Sequence, residues 1–249
     1  MKRLLNLMVL SMAVVLTLAN VSSADIYMKQ KQHTDATQMM GMAQPAKDVI
    51  SEIWITEKGF RSDDPAHSTI LLGKEQKMIM LDHAAKTYME HPINMNDMMA
   101  QMGKNKSAEE KAAMNQMMQN MMKMDASVQA TGEHKTINKW NCTKYILTIN
   151  SAMGLITNEV WATEDLKVDK KIYEQLAARM LSSMPGLQSS MESMKKEMEK
   201  IKGVQVMTVS TFTMMNMPHK STTELLDFKE GKAPAGIFTI PAGYKKQAM

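Results

Sequence analysis

Short β-patterned runs crowd the first third of the chain and leave little choice of fold. Runs of β-branched and aromatic residues, separated by turn-forming residues, predict strands at 26–32, 48–56, 60–63, 68–72, 77–82 and 86–90. The gaps between the runs are too short for the crossover helix that a parallel pair requires. We therefore expect these strands to pair in an antiparallel sheet.

After Pro92 the hydrophobic period changes from two residues to about 3.6, which indicates helices. Gly103 ends the first predicted helix, and the capping box from Ser107 to Glu110 begins the second. Each helix carries its methionines on one face. The two methionine sets are Met95, Met98, Met99 and Met102, and Met114, Met117, Met118 and Met121.

Strand patterns return at 127–161, with turns expected near Gly132 and Gly154. A second helical region is expected from Asp165, with a break at Pro185 and an end at Gly203. A third β-patterned segment runs over 204–244.

This order predicts an α+β fold in which one curved antiparallel sheet, an unclosed β-barrel, wraps Met-rich helices inserted near 94–124 and 165–202. Two tandem domains are the alternative, but each half would have too few strands to cover its own helical stripe. We therefore expect residues 25–249 to form a single domain.

Residues 1–24 resemble a secretory signal peptide. Lys2 and Arg3 form a basic start, residues 4–19 are apolar, and Ala24 follows two serines at the expected cleavage point. The apolar stretch is shorter than the roughly 20 residues that span a membrane, and no cysteine follows it to be acylated. We expect export to the periplasm with no permanent membrane anchor.

Charge and cysteine content exclude some classes of partner and of stabilisation. The net charge of +4 is small and dispersed, so we expect no nucleic-acid partner. Cys142 is the one cysteine, so it has no intramolecular disulfide partner.

Four motifs carry a family resemblance: I-W-I-T-E-K-G-F-R-S-D at 53–63, I-N-K-W-N-C-T-K-Y at 137–145, E-V-W-A-T-E-D at 159–165 and the closing F-T-I-P-A-G-Y at 238–244. They resemble an uncharacterised family of bacterial exported proteins. That family is similar to the periplasmic lipoprotein carriers, which have an unclosed β-barrel with helices in its mouth. The resemblance implies a cavity that holds a lipid or acyl chain, and it implies no catalytic residue.

Catalytic motifs are missing from the sequence. The six histidines are scattered, and the 11 glycines form no phosphate-binding loop. We expect a protein that is not an enzyme and needs no cofactor.

The 31 methionines support three interpretations. Methionine fills irregular cores, its flexible thioether adapts to varied apolar ligands, and thioethers are soft ligands for Cu(I). The first two together predict that the methionine sets named above line a hydrophobic ligand site. The third favours the loop at 214–219, where Met214, Met215, Met217 and His219 lie close in sequence.

The sequence thus predicts a periplasmic, carrier-like protein that binds a hydrophobic small molecule or lipid between sheet and helices. The alternative is a Cu(I)-binding or copper-tolerance protein. No feature identifies a protein partner.

Overall fold

The structure is a computed structural model, and its described residues are 25–39, 42–93, 107–121, 124–151, 154–168, 188–214 and 217–247. Most of them lie in strands. No helix in these ranges has the length and apolar character needed to cross a membrane.

The described residues up to Ile93 form eight strands: β1 Ile26–Thr34, β2 Thr37–Met39, β3 Met42–Gln44, β4 Lys47–Ile55, β5 Gly59–Asp63, β6 His67–Leu72, β7 Lys77–Asp82 and β8 Thr87–Pro92. The described residues after Ile93 form the remaining elements: α1 Ala108–Met121, β9 Met124–Ile137, β10 Trp140–Ser151, β11 Gly154–Thr163, α2 Gln188–Met198, β12 Val204–Met214, β13 Met217–Glu230 and β14 Lys245–Lys246.

Twelve of these strands form one sheet in the order β14-β8-β7-β6-β5-β4-β1-β13-β12-β11-β10-β9. Neighbours are antiparallel except β14 and β8. The sheet is curved and unclosed, with β14 and β9 at its two edges. All three β-patterned segments of the sequence contribute to it, so the prediction of one shared antiparallel sheet is confirmed. β2 and β3 form a separate hairpin.

The register defines two faces of this sheet, because residues paired directly across antiparallel strands point to the same side. Face A carries two continuous rows. One row is Met28, Ile53, Ser62, Thr69, Met80 and Met89; the other is Ile26, Ile55, Phe60, Leu71, Met78 and His91. Face B carries the alternate residues, among them Ile70, Ile79 and Leu81.

Local capping and turn chemistry explain where several elements begin and end. The predicted capping box is confirmed: Ser107 N donates to Glu110 Oε2 at 2.7 Å, and Glu110 N donates to Ser107 Oγ at 3.2 Å. The turn before Gly154 is also confirmed, since Ser151 pairs with Gly154.

The turn predicted near Gly132 was wrong. Gly132 lies inside β9 at φ 77°, close to the point where the β9–β10 register shifts. The chain instead reverses at Asn138 and Lys139, and Asn138 has φ 54°. Asparagine tolerates this left-handed conformation, and a glycine inside a strand commonly marks a bulge.

Candidate functional site

Strand β7 is apolar on both faces, Leu71 of β6 adds to face A, and the apolar residues at the centre of face B are covered. Ile70, Ile79 and Leu81 are 0%, 4% and 1% exposed. Phe238, Ile240 and Tyr244 from the chain beyond β13 pack against them. The closing F-T-I-P-A-G-Y motif therefore acts as a cover for face B.

Face A of the same strands is apolar but only half-buried. Phe60, Leu71, Met78, Met80 and Met89 lie there, and we call them the apolar strip. An antiparallel sheet with one covered face normally turns polar residues outward on the other. A contiguous half-buried apolar surface is a common mark of a binding site.

The centre of face A is a buried, mainly apolar cluster that includes Met28, Ile53 and Leu225, with a few polar side chains among them. Gln30, Asn158 and Thr208 are buried there, and Ser210 Oγ donates to Asn158 Oδ1 at 2.6 Å. A recess in this region is lined in part by Gln30, Thr208 and Thr223, and it is barely wide enough for one water molecule. The apolar strip thus borders the buried apolar core on β4 and β1, and the polar side chains lie beyond that core.

Helix α2 covers the other end of face A. Met198 and Ile201 pack against Val128, Tyr145 and Leu147 of β9 and β10. Ile201 is fully buried. One end of face A is therefore closed by a helix, and the apolar strip lies at the opposite end.

A polar network fixes the covering segment to face B. Arg61 Nε donates to Asp63 Oδ2 at 2.8 Å. Arg61 Nη1 donates to the carbonyl oxygens of Ile237 at 2.6 Å and Thr239 at 3.3 Å. The R-S-D motif of β5 and the closing motif are thus joined by one guanidinium.

The same network contains a serine beside a histidine, which is the start of a nucleophilic arrangement. The Ser68 hydroxyl donates to Asp63, so His83 Nε2, 3.0 Å away, donates to Ser68 Oγ. His83 Nδ1 forms a hydrogen bond of 2.6 Å with the Tyr244 hydroxyl. In this arrangement His83 does not act as a base toward Ser68. Ser68 is also 1% exposed, so this network joins the segment to the sheet.

The two pKa shifts considered next belong to groups outside the apolar strip. Hydrogen bonds from Lys246 and Lys77 lower the pKa of Glu90, which lies on face B. Burial raises the pKa of the Cys142 thiol, which disfavours the reactive thiolate.

Comparison with family models assigns the chain to a family. The model of a domain of unknown function, DUF4412, matches residues 26–244. The chain belongs to the DUF4412 family. This match confirms the assignment to an uncharacterised family that the four motifs indicated.

Two solved structures are similar to this DUF4412 chain. One is a domain assigned as an outer membrane lipoprotein-sorting protein of Vibrio parahaemolyticus, at 8% identity and a TM-score of 0.34, with 88% of this chain and 91% of that chain covered. The other is PNGF-II, at 14% identity and a TM-score of 0.32; 88% of this chain is covered but only 31% of PNGF-II. No curated protein matches the sequence.

The predicted ligand-lining methionines fall mostly outside the described side chains. Met95, Met98, Met99 and Met102 lie outside the described residues. Met114, Met118 and Met121 lie in α1, but their side chains are outside the description. Met117, also in α1, is 64% exposed. That these methionines line a ligand site stays a prediction.

The predicted copper loop is a β-hairpin between β12 and β13. Met214 pairs with Met217, and Met215 lies outside the described residues. His219 pairs with Phe212 and stacks on its ring, with centroids 4.8 Å apart. Within the described ranges, histidine, cysteine and acidic residues form no group of three that would hold a metal ion. Copper binding at this hairpin stays a prediction.

Sequence reasoning missed the apolar strip as a site. The signal was present in K-M-I-M-L-D at 77–82, where both strand faces are apolar. The pattern alone did not show which face the chain itself covers. In the structure the closing motif packs on face B, so face A is the face that the closing motif leaves half-buried.

Proposed function

We propose that this chain is an exported, carrier-like binding protein that works in the periplasm and catalyses no reaction. It holds a lipid or another molecule with an acyl chain against the apolar strip of face A. The helices of the chain complete the site from the mouth of the unclosed sheet.

The observation that carries this proposal is the difference between the two faces of β6 and β7. Face B is buried by the chain's own closing segment, whereas Leu71, Met78 and Met80 on face A remain half-buried. Binding an acyl chain there would remove this surface from water, at about 25 cal/mol for each Å² of apolar area. The thioethers adapt to chains of different shape because methionine is unbranched and flexible.

The buried apolar core of β4 and β1 lies between the apolar strip and the small recess beside Gln30, Thr208 and Thr223. The proposal therefore places an acyl chain on the strip itself and assigns no headgroup site. The acyl chain would then lie across β5 to β8.

Native mass spectrometry of the protein purified from its own periplasm tests the proposal. We expect co-purified lipid on the wild type and its loss from the double variant Leu71→Gln/Met80→Gln, because the strip then becomes polar. The matched control is Leu155→Gln, which changes an apolar residue that is 56% exposed on face B of β11. This control should keep its lipid.

Two outcomes contradict the proposal: wild-type protein without lipid, or lipid that persists on the double variant. A further variant, Met117→Gln, separates the strip from helix α1. Loss of lipid from this variant shows that α1 contributes to the site, as the methionine pattern predicts. Full retention assigns binding to the strip without Met117.

A further inference from the structure

Three methionines and a histidine meet on face A of the β7–β8 hairpin. Met78 pairs directly with His91, and Met80 pairs directly with Met89. These two pairs are successive pairs on the same side of the hairpin. The four residues therefore form a rectangle of neighbouring side chains at the outer end of the sheet.

His91 has an unused ring nitrogen in this rectangle. Its Nε2 atom is buried, and among the described residues it has no hydrogen-bond partner. A buried polar atom without a partner destabilises the fold, so such atoms are rare unless something else occupies them. In the tautomer that carries its proton on Nδ1, Nε2 has the free lone pair that a metal ion requires.

The spacing of the rectangle suits one ion. Directly opposed residues in an antiparallel pair have Cβ atoms about 4.5 to 5.5 Å apart, and diagonal neighbours are about 7 to 8 Å apart. Methionine has three rotatable bonds, so its sulfur can turn toward the centre from any of the three positions. Three thioethers and an imidazole are soft, neutral ligands of the kind that select Cu(I).

We propose that Met78, Met80, Met89 and His91 form a Cu(I)-binding site on β7 and β8. The charged residues of this hairpin that pair ionically, Lys77 and Glu90, lie on face B. The ligand set itself is uncharged, so it favours a monovalent ion over a divalent one. This site is separate from the hairpin at 214–219. Its ligands Met78, Met80 and Met89 also belong to the apolar strip, so bound lipid would block the ion and the titrated chain must be free of lipid.

Anaerobic titration of the purified full chain with Cu(I), in competition with a chromogenic Cu(I) chelator, tests the site. We expect the wild type to withhold one tightly bound equivalent from the chelator. The triple variant Met78→Leu/Met80→Leu/Met89→Leu should lose this equivalent. His91→Leu should weaken its affinity by about tenfold or more, and the X-ray absorption spectrum of bound copper should lose its imidazole signal.

Two matched controls measure the effect on Cu(I) binding of removing a methionine or a histidine that lies outside the proposed site. Met207→Leu changes a half-buried methionine of β12, and His134→Leu changes an exposed histidine of β9. Both should retain the tight equivalent. Leucine keeps the apolar volume of methionine, so the triple variant should fold; circular dichroism checks this.

The proposal is overturned if the wild type binds no Cu(I) in competition with the chelator. It is equally overturned if the triple variant and His91→Leu compete like the wild type. Should the triple variant fail to fold, His91→Leu alone decides, because it removes a buried atom that has no partner to lose.

Discussion

Gly203 holds the chain at the point where it leaves α2 and returns to the sheet. Its φ is +85°, and a Cβ atom there would lie 1.9 Å from the carbonyl oxygen of Thr163. Only glycine fits both the left-handed conformation and the close backbone approach. The residue was predicted from the sequence as the end of the helical region, and its contact with Thr163 adds the reason that no other residue fits.

We expect Gly203→Ala to lower the free energy of unfolding by about 3 kcal/mol, because the strain falls on two backbone segments at once. Gly231→Ala is the control: nothing lies within 4 Å of a Cβ there, and its φ is not in the left-handed region. Urea unfolding followed by circular dichroism measures both. Equal midpoints for the two variants would contradict the prediction.

Residue-level features were predictable where their causes are local. The capping box at Ser107 and Glu110 depends on residues three apart, so the sequence contains all of it. Gly132 shows the limit, since a glycine between β-patterned runs fits a turn or a bulge equally well. Only the pairing of β9 with β10 shows that the chain reverses at Asn138 and not at Gly132.

At the scale of elements, one carboxylate adds a polar contact to the apolar packing of helix α2 on the edge strand β9. Glu197 Oε2 accepts a hydrogen bond of 2.7 Å from the backbone N–H of Val128, and Oε1 lies 2.6 Å from Lys200 Nζ. Edge strands expose backbone groups that invite pairing with other chains, and covering them prevents this. The sequence predicted the apolar face of α2, but not this polar contact, because it joins residues 69 positions apart.

The hydrogen bond from Lys200, and then that from Val128, lower the pKa of Glu197 from its ordinary value of 4.5. Because the folded pKa is the lower one, the contact stabilises the protein above about pH 4.5 and is lost as the pH falls through the folded pKa. We expect the Val128 amide to exchange severalfold faster in Glu197→Ala at neutral pH. Glu197→Gln keeps a neutral acceptor oxygen, as the protonated carboxyl does, and should exchange at a rate between those of the wild type and Glu197→Ala.

Hydrogen exchange followed by NMR provides this measurement, with the Leu147 amide of the adjacent strand β10 as an internal reference. Lowering the pH below the folded pKa should accelerate Val128 exchange in the wild type, after correction for the intrinsic rate. It should have little effect in Glu197→Ala, which has already lost the contact. An unchanged Val128 rate in Glu197→Ala would remove Glu197 as the link between helix and edge strand.

At the scale of the whole molecule, the sequence predicted the sheet but not its strand order. Each strand was recognisable from its own residues, because alternation and turn chemistry are local. The position of β1 between β4 and β13 depends on which long-range pairs fit best, and no local pattern encodes that. The candidate site was missed for the same reason: the sequence shows that β7 is apolar on both faces, but it does not show which face the closing motif covers.

This strand order makes β1 the link between the two halves of the sheet. β1 pairs along its whole length with β4 on one side and with β13 on the other. Ile26 is fully buried within it, in a cluster that includes Ile55 of the first half and Leu225 of the second. The strands on either side therefore share one core, and we expect them to unfold together.

Pulsed hydrogen exchange across a urea series tests this with the wild-type chain, by comparing peptides from β5–β8 with peptides from β9–β11. Both groups should lose protection at the same urea concentration. Ile26→Ala should lower both midpoints equally, in keeping with a loss of about 2 to 4 kcal/mol for a buried isoleucine. Two separate midpoints, or a shift confined to one group, would show that the halves are independent domains and that β1 does not couple them.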